Sequence, residues 1–413
     1  MRVGLLKDIK PDERRVALLP RHVRVLKELG HAVFVERNAG SGSGFDDSAY
    51  ERAGARVVEK ADVLEESELL LKVKTPLPSE FADYKPFHVL FTYLHFDENI
   101  SRQDIQALIE RAFIGIAYEW VGEGGAYPLL EPMSRLTGYL FAQKAVELCA
   151  REKGIFCAAN EPFLPGGRAV IVGSGNIGLS AVKYLSDLNL SLSVVHNAPL
   201  LTVEKRILQR FGKSASDMLA GRNVRFVQMN EEDPARTKGE LAGLLGEADI
   251  LINAAVRRAS LPKTKLEYLV DREMVARMAP GSVVCDATAC DKDMVETCVS
   301  SPSLHDTYRE ADVVHYNCDH IPALVARTAS ELLTESTFPY VVRLVEQGVF
   351  QAIQSNVALR NGVSCCEGWI THRLSAEKKD MPYRPIGDFL SVAGARGRAE
   401  TSPGPVLRME SAR

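Results

Sequence analysis

Two sets of residues in this 413-residue chain have types and spacings suited to chemistry. The first is Arg168 to Gly178, RAVIVGSGNIG, where the β-branched run Ala169 to Val172 is followed at once by Gly173, Gly175 and Gly178. Leu179 to Leu185 then returns apolar residues at helical spacing, so the stretch predicts strand, glycine turn and helix. Gly173 permits the tight turn, Gly175 lets a pyrophosphate approach the backbone, and Gly178 lets helix and strand pack closely. The N–H groups of Ser174, Asn176 and Ile177 at the helix start are suited to phosphate oxygens. The second set closes three apolar runs: Glu68 to Val73 leads into Lys74, His88 to Leu94 into His95, and Phe113 to Tyr118 into Glu119. Ligands of open α/β sheets collect at the carboxyl ends of strands, so the three residues predict one polar pocket.

The elements that must position these groups are legible in the pattern. Val3 to Leu6 and His31 to Val35 read as strands around a helix that begins near Pro20 and ends at Gly30. The Gly- and Ser-rich stretch 38–45 reads as a flexible connector. A long helix from about Arg135 to Arg151 follows a Pro-rich hinge and leads to the glycine loop. Strands at Leu192 to Val195, Val224 to Val227, Ile250 to Ala254, Val283 to Asp286 and Val313 to Tyr316 complete a doubly wound sheet, and Ala323 to Gln347 is a helix that crosses back. From residue 376 to 413 the composition turns to Pro, Gly, Arg and Ser and predicts a flexible tail.

Composition bounds the partners. Net charge is −4, with 46% hydrophobic and 25% charged residues, which favours neither nucleic acid nor an anionic membrane. No apolar run reaches the roughly 18 residues of a membrane span, and the start reads as a strand rather than a signal peptide, so a cytoplasmic protein is expected. Eight cysteines without a C-x-x-C spacing predict buried reduced thiols and no metal site.

Six blocks occur in an order that resembles the alanine dehydrogenases: ERRVALLP (13–20), LLLKVKTP (69–76), LFTYLH (90–95), AYE (117–119), PLLEPMS (128–134) and GSGNIG (173–178). The same fold includes the nucleotide-binding part of transhydrogenase and the lysine-forming saccharopine dehydrogenases, and DHIPALVARTASELL (319–333) is closer to the Asp-His-x-Pro segment of the latter. The resemblance implies an α/β protein of two Rossmann-like domains. A dinucleotide-binding domain, 133–321, is inserted into a discontinuous substrate domain, 1–132 and 322–375, with NAD or NADP as cofactor.

It also implies an oxidoreductase that moves hydride between the nicotinamide and a carbon bearing nitrogen, through an imine, on an amino acid and its 2-oxo acid. Arg15 matches the carboxylate-binding arginine, Lys74 the active-site lysine and His95 the acid/base histidine, with Glu119 orienting or charge-balancing the lysine. A further catalytic aspartate falls on Asp291, one residue beyond the family's spacing. Met133 limits the substrate's room on one side, while Asp319 and His320 add polar groups on the other, or Asp319 merely caps the following helix. Ser134, Gly173, Ser174, Gly175, Asn176, Ile177, Gly178, His196 and Asn197 fall at the cofactor. His196 stands where the family has an acid for the ribose, which implies tolerance of NADP(H).

The expected reaction is deamination of an amino acid larger than alanine, or an opine-like secondary-amine reduction. Alanine dehydrogenase proper is the alternative, and a non-catalytic dinucleotide module is the alternative from another class. A 2-hydroxy-acid dehydrogenase would not account for the ERRVALLP and KVKTP blocks. The family includes hexamers and monomers and leaves homo-oligomerisation open.

Overall fold

A computed structural model describes residues 1–158, 161, 163–164, 166–230, 232–257, 261–288 and 290–391. The first sheet is built from β1 (Arg2–Leu5), β2 (Ala32–Glu36), β3 (Arg56–Val58), β4 (Leu69–Leu71), β5 (Val89–Thr92) and β6 (Ile114–Ala117), all parallel. The second contains β7 (Arg168–Val172), β8 (Ser191–His196), β9 (Val224–Gln228), β10 (Ile250–Asn253), β11 (Val283–Asp286), β12 (Tyr308–Glu310) and β13 (Val313–Tyr316). Only β12 runs antiparallel there. The chain then returns to the first sheet, where β14 (Val363–Cys366) pairs antiparallel with β6 and with β15 (Trp369–Ile370). Strands β4, β5 and β6 are buried at every position, as their unbroken apolar runs require of a parallel sheet covered on both faces.

The strand orders, β15-β14-β6-β5-β4-β1-β2-β3 and β12-β13-β11-β10-β7-β8-β9, each reverse direction once. The reversals fall at β1 and β7, and a crevice at the carboxyl ends of those strands is where such sheets bind ligands. The segment 6–20, which holds the block 13–20, and the block 173–178 leave from these two points.

Helix α1 (Glu131–Glu152) begins with Pro132 in its first turn and carries the chain from one sheet to the other. It packs on α2 (Asn176–Asp187), which leaves the glycine loop; Leu140, Phe141, Ala145 and Leu148 share a core with Ala181, Val182 and Leu185. The two helices approach so closely at Gly138 that a Cβ there would lie 2.1 Å from the Ile177 carbonyl oxygen. Helix α3 (Leu200–Phe211) follows β8, and α4 (Ala326–Gln347) places Leu333, Val341 and Leu344 in the core of the first sheet. Among the described residues no helix is long and apolar enough to cross a membrane, and all eight cysteines are free.

Two sequence expectations need correction. The stretch 38–45 is not a loose connector: the Ser43 hydroxyl is buried against the Arg14 carbonyl (2.7 Å) and the Ser330 hydroxyl (2.8 Å) of α4. Nor is 376–391 a flexible tail. A helix over Arg373–Lys379 buries Ala376, and Met381 and Phe389 pack into the first sheet's cores, because these three residues supply apolar surface that the surrounding polar composition conceals. The remainder of the expected tail, 392–413, lies outside the described residues.

Gly138→Ala is expected to destabilise the protein by about 1–3 kcal/mol, since backbone faces the new methyl group and must shift. Urea unfolding followed by circular dichroism measures this, and an unchanged midpoint would mean that α1 and α2 do not pack as described.

Candidate active site

The ends of β4, β5 and β6 lie side by side, and the residues just beyond them converge. Lys74 Nζ is 3.5 Å from His95 Nε2, and the Glu98 carboxylate is 3.2 Å from the other ring nitrogen, Nδ1. His95 has a left-handed backbone (φ 49°), a conformation that costs a residue with a side chain roughly 1 kcal/mol or more and persists only when its surroundings fix it. Glu119 supplies that constraint. Its buried carboxylate accepts the His95 N–H at 2.6 Å and the Leu94 N–H at 3.2 Å, while Thr75 donates to the carbonyls of Tyr93 (3.1 Å) and Leu94 (3.0 Å). The Tyr93 ring stacks on the imidazole, centroids 5.3 Å apart. The sequence reading has Glu119 orienting the lysine; the structure places it on the histidine's backbone instead.

Lys74 is positioned from the other side by Asp8, just past β1. Asp8 accepts the N–H groups of Val73 (2.9 Å) and Lys74 (3.1 Å) and the fully buried ammonium of Lys72 (2.5 Å). Burial, then the nearby Lys10 and Arg15 charges, hold the Lys74 ammonium below its ordinary pKa against the opposing Asp319 and Glu13. For His95, burial is the largest influence and acts downward, with the Lys74 charge, but the Glu98 and Glu119 carboxylates together outweigh them and the net shift is upward. A lysine moved down and a histidine moved up lie in contact, an arrangement chemically able to exchange a proton.

Arg15 lies behind this pair, buried, with its fork on Glu13: Nε to Oε1 at 2.8 Å and Nη2 to Oε2 at 2.6 Å. Burial raises the Glu13 pKa, yet the guanidinium overrides it and holds the carboxyl at about 2. The remaining Arg15 nitrogen, Nη1, faces Met133 Sδ at 3.6 Å. From the second sheet, beyond β13, Asp319 reaches across to Lys10 (2.5 Å) and also accepts His320 Nδ1–H (2.7 Å). Asp319 therefore does not cap the helical turn that begins at Ile321, and both its oxygens are engaged. His320 is buried, and its Nε2 has no partner among the described residues. A cavity of about 300 Å³ is lined by Lys10, Lys74, His95, Glu98 and Asp319 with the apolar Leu77, Phe81 and Ile100.

Asp291 is not brought to this cavity. It is exposed, and its carboxylate accepts the Ser300 N–H (2.7 Å), the Ser300 hydroxyl (2.7 Å) and the Asn99 amide (3.2 Å), so it ties a loop of the second sheet to the cavity's rim. Its neighbour Cys290 feels Glu98 instead; burial, then that charge, pushes the thiol up to about 12 and keeps it protonated. Glu98, Asp8, Glu13 and Lys10 were missed by sequence reasoning. Asp8 and Lys10 obey the strand-end rule at β1, where it was not applied; Glu98 sits in an unremarkable polar run.

A second cleft, about 510 Å³, opens along the glycine loop. Gly173 has φ 106°, a conformation suited to glycine alone, and a Cβ on Gly178 would lie 2.0 Å from the Gly173 carbonyl oxygen. At Gly175 a Cβ would meet nothing within 4 Å, so open space lies before the N-terminus of α2, as an approaching pyrophosphate requires. Ser174, Asn176, His196 and Asn197 line the cleft, Ile177 follows in the first turn of α2, and Ser134 lies one residue before Arg135, which lines it. The donor set and the glycine cradle fit a nicotinamide dinucleotide.

Residues 4–137 match the family model for the alanine dehydrogenase/PNT N-terminal domain, and residues 145–373 the model for its C-terminal domain. The chain belongs to the alanine dehydrogenase/PNT family. It is 35% identical over 404 residues to alanine dehydrogenase of Bacillus subtilis, covering 96% of this chain and the whole of that enzyme. Over 398 residues it is 33% identical to alanine dehydrogenase of Methanococcus maripaludis, covering 95% of this chain and all of that one. A solved L-alanine dehydrogenase superposes with a TM-score of 0.77 at 32% identity, over 92% of this chain and 99% of the other. A transhydrogenase from Sinorhizobium meliloti shares the fold, with a TM-score of 0.68 at 23% identity over 90% of this chain and 99% of that one. As a member of the alanine dehydrogenase/PNT family, the chain is an amino-acid dehydrogenase that uses NAD(H) or NADP(H).

The arrangement of this family member gives a pH test. If His95 is the group that accepts a proton during amino-acid oxidation, activity rises as pH passes upward through its raised pKa. Glu98→Gln removes the charge that raises it, and the rising limb of kcat/KM is expected to move to lower pH by roughly one unit. A limb that stays put or moves upward would contradict the role given to Glu98.

Proposed function

We propose that the chain is an L-alanine dehydrogenase, converting alanine, water and oxidised nicotinamide dinucleotide to pyruvate, ammonium, the reduced dinucleotide and a proton and running in reverse, with substrate bound by residues 1–132 and 322–375 and dinucleotide by 133–321. The observation that carries this reading is the Lys74–His95 contact at 3.5 Å, at the mouth of a small cavity, in a chain that matches alanine dehydrogenases end to end. The sequence expectation of a larger or secondary-amine substrate gives way to the alanine alternative. The polar arm it relied on is occupied, because Asp319 already holds Lys10 and His320.

In this mechanism the ammonium of Lys74, which lines the cavity, attracts the substrate carboxylate, and the Arg15 guanidinium, buried against Glu13 and Met133 and not itself lining the cavity, adds positive charge behind it. The dinucleotide, when bound, supplies the hydride acceptor, or the donor in reverse. Loss of hydride from Cα and of a proton from nitrogen yields an imine. His95 then takes a proton from water at Nε2 as the oxygen adds to the imine carbon; the Lys74 ammonium gives a proton to the departing nitrogen as the carbonyl forms, and the imidazolium of His95, in contact with Nζ, returns one to the lysine. Glu98 stabilises the imidazolium formed at this step.

His95→Ala and Lys74→Met are each expected to lower kcat/KM for alanine by roughly 10²–10⁴-fold while dinucleotide binding, followed by nucleotide fluorescence, is retained. In a screen of amino acids, alanine is expected to be preferred over larger side chains by about tenfold or more. Preference for a larger amino acid or for a secondary-amine product would overturn the alanine assignment.

A further inference from the structure

We infer that this chain binds the 2′-phosphate of NADP(H), with Arg206 as its cationic anchor and His196 as the residue that admits it. The inference deepens the dinucleotide reading above. β7 and β8 are paired neighbours, and the Gly173 N–H donates to the Val195 carbonyl at 2.8 Å. The glycine loop therefore leaves β7 directly beside His196, the last residue of β8. In this fold the adenine ribose lies at that corner, where an acid selects the 2′-hydroxyl and a nearby arginine accommodates a 2′-phosphate.

Four observations place the corner in the second class. His196 is buried, and its Nδ1–H is spent on the Ala198 carbonyl at 2.8 Å, so the edge left over carries a nitrogen and no negative charge. Arg206, half-buried on α3, lines the same cleft and donates to the Ser174 carbonyl of the glycine loop at 3.3 Å, a long bond that leaves most of its donors unused. Among the described residues it has no carboxylate partner. Arg210, one helical turn on, bonds the Asn176 carbonyl at 2.5 Å and the Ser180 hydroxyl, which adds a second unneutralised cation beside the start of α2. The one carboxylate lining the cleft is Glu131, and it is paired with Arg135 at 2.5 Å. Glu232 and Glu240 lie in the adjoining cavity beyond Asn197 and Met229, so among the described residues lining the cleft itself there is an arginine free of carboxylates and no unpaired acid, the electrostatics of a phosphate site.

The test is a fluorescence titration of the full chain with NADPH and with NADH, without amino acid, and with adenosine 2′,5′-bisphosphate as competitor. NADPH is expected to bind at least as tightly as NADH and to be displaced by the bisphosphate. Arg206→Ala and His196→Asp are each expected to shift the ratio of the two dissociation constants toward NADH by about tenfold or more, equivalent to about 1.4 kcal/mol, with the circular dichroism spectrum unchanged. NADH binding about a hundredfold tighter than NADPH, or an Arg206→Ala variant that weakens both equally, would overturn the inference. Because no amino acid is present, failure to oxidise alanine would leave this result intact, and an NADH-only protein would leave the alanine reading intact.

Discussion

The buried carboxylate of Asp8 is the contact on which the site's geometry depends. It joins the end of β1 to the end of β4 by accepting two backbone N–H groups and the Lys72 ammonium, which is fully buried. Charge-assisted bonds of this kind contribute about 1.5–3 kcal/mol each, and removing the acid would strand a buried ammonium at a cost of about 3–5 kcal/mol. Burial lowers the Lys72 pKa, but Asp8 and Glu80 outweigh it, so that lysine stays charged and structural. Two residues on, Lys74 has no such acid in contact and is moved the other way. The segment just past β4 thus carries a fixed charge and a labile one two residues apart, distinguished by which of them has a carboxylate in contact.

Glu119 performs the equivalent task for His95. Without the two backbone N–H groups it accepts, the left-handed turn at His95 would have no reason to persist, and the ring would not meet Lys74. The reactive pair is therefore over-determined by two buried acids on flanking strands, while the acid that adjusts the histidine's charge, Glu98, comes from the loop that follows. The second sheet closes the site through Asp319 on Lys10 and Asp291 on Asn99, two contacts that span the cleft between the sheets.

Much of this was legible in the sequence, for identifiable reasons. The strands announce themselves because parallel strands buried on both faces must be continuously apolar, and the glycine loop because Gly173 and Gly178 occupy positions no side chain can. Lys74, His95 and Glu119 follow from the strand-end rule. Asp8 was equally accessible to that rule, and Glu98 was not, since its role depends on a turn after β5 that brings an ordinary acidic loop residue back onto the imidazole. Asp291 shows the opposite failure. A spacing match put it in the site, whereas the loop directs its carboxylate to Ser300 and Asn99. The packed segment 376–391 was obscured because a few buried residues, Ala376, Met381 and Phe389, anchor an otherwise polar stretch.

The central claim is that burial and neighbouring cations make Lys74 a labile proton carrier beside His95. A titration of the protein with ¹⁵N-labelled lysine, followed by NMR and assigned by the signal missing in Lys74→Met, tests it most directly. The account predicts that the Lys74 amine titrates below the ordinary lysine value of 10.5. Titration at or above that value would show a permanently charged lysine and contradict the account.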